Sequence, residues 1–290
     1  MQSRNPVFAR SEGFNGRANT YGNQTYEGNG QSYADFGQAD TWGAPTGMAV
    51  DNQRMTIDSV VQKTGITLGI VVIAAAATWA LTGNVTDENA IRNLSMFATV
   101  GALGGFILSM VNSFKRVVSP GLVIGYAVLE GVFIGALSKL IDTKISVSDG
   151  VVSTGSSGVV MMAVVGTFAA VGGTLAAYKF FNIRVGTKFR KWVIGATMGF
   201  VAVALFDGLL SIFHSSIGFN DPFSGLGFVM SFVGLALGVF MLILDFDFVE
   251  RGVAAGLPER ESWRAAFGLT VTIIWIYIEL LRIIAALREN

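Results

Sequence analysis

Residues 224–246 read SGLGFVMSFVGLALGVFMLILDF, and Asp245 is the one charged side chain among them. As a helix rising about 1.5 Å per residue, this stretch is about 35 Å long. The hydrocarbon core of a bilayer is about 30 Å thick and needs roughly 20 apolar helical residues. Six more stretches of similar size occur at 64–83, 92–113, 119–139, 158–180, 191–213 and 265–287. All are too apolar around their circumference to be amphipathic helices of a water-soluble domain. A membrane β-barrel requires alternating segments about ten residues long, which is a different pattern. The chain is therefore expected to be an all-α integral membrane protein, a bundle of seven transmembrane helices.

Composition agrees. The 290 residues are 52% hydrophobic and 14% charged, whereas soluble domains run at about a quarter charged. The mean hydropathy is +0.56. Twenty Lys and Arg balance twenty Asp and Glu, which argues against a nucleic-acid partner bound through excess positive charge. With no cysteine and a single histidine, His214, the chain has no disulfide, no thiolate site and no two-histidine zinc motif. His214 lies near the outer end of the fifth span. No P-loop occurs, and no lysine lies within the seventh span to carry a retinal Schiff base. Neither an enzyme nor a cofactor is expected.

Residues 1–57 differ from the rest. They are rich in Gly, Asn, Gln, Ser and Thr, with single aromatics such as Phe8, Tyr21, Tyr33 and Trp42. Such a segment buries too little apolar surface to offset its ordering entropy and is expected to be disordered. It lacks the continuous apolar run of a secretory signal. Its spaced aromatics are candidate contacts for protein partners. The membrane domain is expected over 58–290, with Thr56 or Asp58 near the cap of the first helix.

Charge orients the bundle. Fifteen of the twenty cations fall before the first span or in the loops after spans 2, 4 and 6, and four fall on the other side. The positive-inside rule then places the N-terminus in the cytosol and the C-terminus outside, and the membrane is expected to be the plasma membrane. Glycine pairs four apart allow close helix packing: Gly101/Gly105, Gly121/Gly125, Gly131/Gly135, Gly195/Gly199 and Gly234/Gly238. Trp79, Trp192 and Trp263 lie near the predicted interfaces, where aromatic belts form.

An ionisable group inside a bilayer is costly, about 2.5–3.5 kcal/mol at a helix centre on insertion scales, and points to function. The spans hold Glu130, Asp207, Asp245, Glu279 and Arg282. Glu130 falls near mid-membrane, and Asp207, Glu279 and Arg282 somewhat deeper toward the outside. Asp245 ends the sixth span, with Asp247 and Glu250 just beyond. Glu279 and Arg282 are three apart and can neutralise each other. Asp245 is close enough to the interface to reach water. Glu130 and Asp207 have no local partner of opposite sign, so each pairs across helices, faces water or is protonated.

The order of these features resembles the Bax inhibitor-1/YccA family, the transmembrane Bax inhibitor motif proteins, over about residues 60–290. The resemblance rests on the seven short-looped helices and on Leu129-Glu130-Gly131, Ile243-Leu244-Asp245 and Leu280-Leu281-Arg282-Ile283. The long Gly/Asn/Gln-rich tail resembles that of the family's actinobacterial branch. The resemblance implies that helix 7 is encased by two three-helix layers, 1-2-6 and 3-4-5. It also implies a pH-sensitive calcium leak channel. The family's sensor is a pair of aspartates, one on helix 6 and one early on helix 7, held by a basic residue on helix 2. Asp245 matches the first. The second falls ten residues before Arg282, at Thr272, which is not an acid. Asp247, Glu250 or the deeper Glu279 would have to stand in. Lys115 or Arg116 lies near the basic position.

The expected function is a passive cation leak, for calcium above all, gated by protonation at Asp245. Glu130, Asp207 and Glu279 would line or tune its path, since hard cations take oxygen ligands. The alternatives are a non-conducting scaffold that regulates a stress response or a membrane protease, and a proton-coupled transporter.

Overall fold

The computed structural model describes residues 54–83, 88–148, 158–181 and 183–289. Most of the tail expected to be disordered, residues 1–53, lies outside the described residues. Among the described residues seven helices are formed: α1 Ile57–Leu81, α2 Glu88–Phe114, α3 Pro120–Ser148, α4 Val159–Phe180, α5 Thr187–Ile212, α6 Gly225–Ala254 and α7 Glu261–Glu289. All seven are long and apolar enough to cross a membrane.

Local chemistry sets the start of α1. Thr56 and Ser59 form a reciprocal capping box, Ser59 N–H donating to Thr56 Oγ1 at 3.0 Å and Thr56 N–H to Ser59 Oγ at 3.1 Å. This satisfies two of the orphan donors at the helix end. Thr56, not Asp58, is therefore the cap. The contacts begin earlier still. Met55 is buried and donates its N–H to the Leu257 carbonyl at 2.7 Å. Ser59 meets Ser262 at 2.7 Å, and Lys63 pairs with Glu259 at 2.8 Å. The start of α1 is thus fastened to the turn between α6 and α7.

Several helices outrun their apolar stretches. The third continues nine residues past the expected end at 139, to Ser148. Lys139 explains part of this. Its ammonium donates to the Trp79 carbonyl at 2.8 Å, to Thr82 Oγ1 at 2.8 Å and to the Gly83 carbonyl. It thereby caps the last turn of α1, whose carbonyls have no intrahelical partner. A lysine expected to flank a span is instead a buried bolt between two helices.

Helix α7 is the centre of the bundle. It packs on α1, α3, α4 and α6, and 67% of its apolar window is buried against 11% for α5. Among the described residues, the other close backbone pairings run mainly α2 on α3 and α3 on α1, while α5 approaches only α6 by its backbone and reaches α7 through Phe200, whose ring lies 5.7 Å from that of Trp275. The grouping into layers 1-2-6 and 3-4-5 is left as an expectation.

Three of the five glycine pairs make these approaches possible. Gly101 and Gly105 face α3, where an added Cβ would lie 2.7 Å from Phe133 N and 2.6 Å from Glu130 Oε2. Gly131 and Gly135 face α1, and Gly234 and Gly238 face α7. By contrast, a Cβ on Gly195 or Gly199 meets nothing within 4 Å. In Gly131→Ala the new methyl would sit 2.5 Å from the Val71 carbonyl and 2.6 Å from Ala74 Cβ. Overpacking of this kind costs about 1–3 kcal/mol, so thermal unfolding in detergent should shift down. Gly195→Ala should unfold at or above the wild-type temperature. Equal melting of the two variants would contradict the α1–α3 contact.

Candidate functional site

Asp245 does not end its helix. Helix α6 continues nine residues further, to Ala254, about 13 Å at helical rise. Polar anchoring carries the helix on. Asp247 is buried and pairs with Arg190 at 2.6 Å and with Arg251 at 2.9 Å. Arg251 also donates to the Val185 carbonyl at 3.0 Å, and Tyr178 donates to Glu250 at 2.7 Å. Two residues along a helix turn a side chain by about 200°. Asp247 and Glu250 thus serve the approach to α5 and the end of α4, not the surroundings of Asp245.

Asp245 faces α7 instead. Thr272 Oγ1 donates to Asp245 Oδ2 at 2.5 Å. Thr272, ten residues before Arg282, is therefore in contact with Asp245. The partner is a hydroxyl. Among the described residues Asp245 forms no ion pair, and no group of three or more acid or histidine side chains is placed to hold a metal.

A cavity of about 280 Å³ opens beside this contact, lined by Asn112 and Ser113 of α2, Asp245 and Phe248 of α6, and Arg264 and Gly268 of α7. The lining follows from helix geometry. Arg264, Gly268 and Thr272 are four apart and share one face of α7. Helix α2 makes no close backbone approach to α6 or α7, and the cavity fills that gap. Gly268 lies beside the carboxylate: a Cβ added there would make an ordinary contact with Asp245 Oδ1, at 3.6 Å.

Two polar groups here do not stand out in the sequence. Asn112 is only 7% exposed, and neither atom of its amide has a hydrogen-bond partner. A buried amide without partners is rare and calls for a polar neighbour in the space it faces. Arg264 donates from Nη2 to the Arg116 carbonyl at 2.8 Å, with Nε 3.3 Å from Glu261. It holds the start of α7 against the end of α2, where a cation suits the C-terminal carbonyls. The expected basic partners Lys115 and Arg116 are exposed, and it is their backbone that takes part. The four-residue spacing of Arg264, Gly268 and Thr272 was a readable signal. Asn112 offered only a polar side chain in an apolar stretch.

The remaining acids lie elsewhere. Glu130 sits between α3 and α2, its carboxylate against Gly105 and its hydrogen-bonding neighbour Tyr126 one turn back. The Tyr126 ring stacks edge-on against Phe267, at 5.1 Å between centroids, so Glu130 lies behind the Asp245 cavity. Glu279 and Arg282 pair at 3.0 Å, and Arg282 Nη2 donates to the Phe219 carbonyl at 2.6 Å. Asp207, 1% exposed, accepts from the N–H groups of Ile217 and Asn220 and from Ser216 Oγ, all at 2.8 Å. Its countercharge is the loop between α5 and α6, a partner no count of charged residues would supply. His214 lies two residues past the end of α5, in the left-handed conformation at φ 57°, which suits a residue just past a helix C-terminus.

The acids thus form two groups at different heights along α7. Thr272 and Glu279 are seven residues apart, about 10 Å along the helix, and the fully buried Ile276 lies between them.

No curated protein matches the chain. A family model described as Bax inhibitor 1 like matches residues 5–289. That match takes in most of the N-terminal segment, which the helix motifs by themselves had left outside the resemblance, because all of those motifs lie within the spans. With the seven membrane-spanning helices and the match over nearly its whole length, this multi-pass membrane chain belongs to the Bax inhibitor 1 like family.

Proposed function

We propose that the chain is a passive cation leak pathway, for calcium above all, whose cytosolic mouth is the Asp245 cavity. The observation that supports this reading is a carboxylate and a buried, unpartnered amide, Asn112, lining one cavity in a membrane-spanning bundle. Carboxylate and carboxamide oxygens suit a hard cation. In this orientation the start of α1 is cytosolic, and the membrane is the plasma membrane.

Gating follows from the missing acid. With Thr272 beside Asp245, no proton is shared between two carboxylates, and the sensor is one titrating group. The ionised carboxylate attracts cations to the mouth and the protonated one does not. Flux should therefore fall in a single step as pH is lowered through the titration of Asp245. Asp245→Asn mimics the protonated form and should leave low, pH-independent calcium entry into liposomes that hold the purified chain and a calcium dye. Thr272→Asp rebuilds a carboxylate pair, which titrates in two steps, and should split the pH profile. Wild-type-like flux and pH response in Asp245→Asn would end this assignment.

A second reading is favoured by the separation of the two acid groups and the buried Ile276 between them. In it the protein is a non-conducting scaffold for a stress response or a membrane protease, recruiting partners through the N-terminal segment. Deleting residues 1–53 should then abolish partner capture, whereas the leak would survive that deletion. Proton movement coupled to a solute would instead mark a proton-coupled transporter.

A further inference from the structure

A second cavity, of about 420 Å³, lies away from the Asp245 site. Its walls include Val72 and Ala76 of α1, Ser138 of α3, Val164 and Phe168 of α4, and Tyr277 of α7. Its volume is in the range of small-molecule pockets, about 300–1,000 Å³. Helices α1 and α4 make no close backbone contact with each other, and the groove is the gap between them. It reaches inward to α7, the central helix.

The surroundings of the mouth identify the occupant. Val72 is 62% exposed and Phe168 is 69% exposed, and both lie well inside their spans. The mouth is therefore continuous with the lipid-facing surface of the bundle, at hydrocarbon depth. The interior offers little to water, which needs about two to four polar partners. Thr167 returns its hydroxyl to the Ala163 carbonyl at 2.7 Å, and Ser138 and Tyr277 bond each other at 2.7 Å. A helix of a second copy, about 10 Å across with its side chains and about 30 Å long where it spans the bilayer, has several times this volume. A single hydrocarbon chain fits.

We infer that this groove is a binding site for one lipid acyl chain, inserted between α1 and α4 until it reaches Tyr277. The headgroup stays in the surrounding bilayer, and the tail covers the apolar face of α7 that α1 and α4 leave open. The inference is independent of the proposed leak activity.

The test uses the full chain in phosphatidylcholine vesicles doped with a phospholipid carrying a diazirine near the end of one tail. After illumination, adducts are mapped by peptide mass spectrometry. Adducts are expected on Tyr277, which is only 8% exposed and out of reach of lipid that merely coats the surface. Ala76→Trp fills the groove and should lower Tyr277 labelling about tenfold, the factor that corresponds to 1.4 kcal/mol. Met198→Trp, on the exposed face of α5, should leave it unchanged. Adducts confined to surface residues such as Met198 in the wild-type chain would overturn the site, whether or not the tryptophan variants fold. So would undiminished Tyr277 labelling in a folded Ala76→Trp protein.

Discussion

Arg282→Ala should lower stability by about 3–5 kcal/mol, the cost of breaking a buried ion pair by removing one partner. Arg282 and Glu279 are 8% and 3% exposed. One guanidinium nitrogen holds Glu279 at 3.0 Å, and another holds the Phe219 carbonyl at 2.6 Å. Truncation leaves the carboxylate buried against Gly234, where there is no room for a compensating side chain. It also leaves the Phe219 carbonyl unbonded. Arg282→Lys should recover only part of the loss, because an ammonium is a point charge and cannot span two acceptors in a fixed fork. Glu279→Gln combined with Arg282→Met removes both charges and should be milder than Arg282→Ala. Thermal unfolding of purified protein in detergent checks all three. An Arg282→Ala protein that melts with the wild type would mean that the pair carries no net stability.

Asp207→Ala should cost about 1.5–3 kcal/mol, the worth of hydrogen bonds to a charged group, because it removes the acceptor of two part-buried N–H donors and one hydroxyl. The donors are Ile217 and Asn220. Asp207→Asn should be nearly as harmful. Its amide presents N–H groups on one side, and the carboxylate it replaces accepts on both. Ser216→Ala removes one bond to the same carboxylate and should cost only about 0.5–1.5 kcal/mol. Limited proteolysis gives an independent readout. Cleavage between α5 and α6, residues 213–224, should speed up in Asp207→Ala and stay slow in Ser216→Ala. Equal cleavage rates in wild type and Asp207→Ala would show that the loop is held by something else. The same loop is also held by Arg282 through Phe219, so the two substitutions act on one element and their costs should not add simply.

These two groups show where legibility in the sequence ends. Glu279 and Arg282 are three apart, and their pairing can be read from helical periodicity alone. That Arg282 also holds Phe219, 63 residues away, cannot. Asp207 has no residue of opposite charge near it in its span. Its partners are backbone amides that face it only once the chain after His214 turns back. Asp247 looked like a substitute for the missing sensor acid because it neighbours Asp245 in sequence. The helix turns it to the other side, onto Arg190 and Arg251. Continued pairing of this kind also carries α6 past Asp245, where loss of apolarity had suggested an end.

The sequence by itself determined the seven spans. Bilayer thickness imposes length and apolarity on each helix separately, and both are local properties of the chain. It also determined that Thr272 stands ten residues before Arg282, a fixed offset along one rigid helix. The tertiary structure alone decided which groups meet. Asn112, Asp245 and Arg264 line one cavity although Arg264 lies 152 positions beyond Asn112 in the chain. Their meeting depends on the rotation of three helices at about 100° per residue, and on glycine contacts that set which helices are neighbours. Neither is written in any single stretch, because packing partners are chosen by surfaces that exist only after the helices have formed.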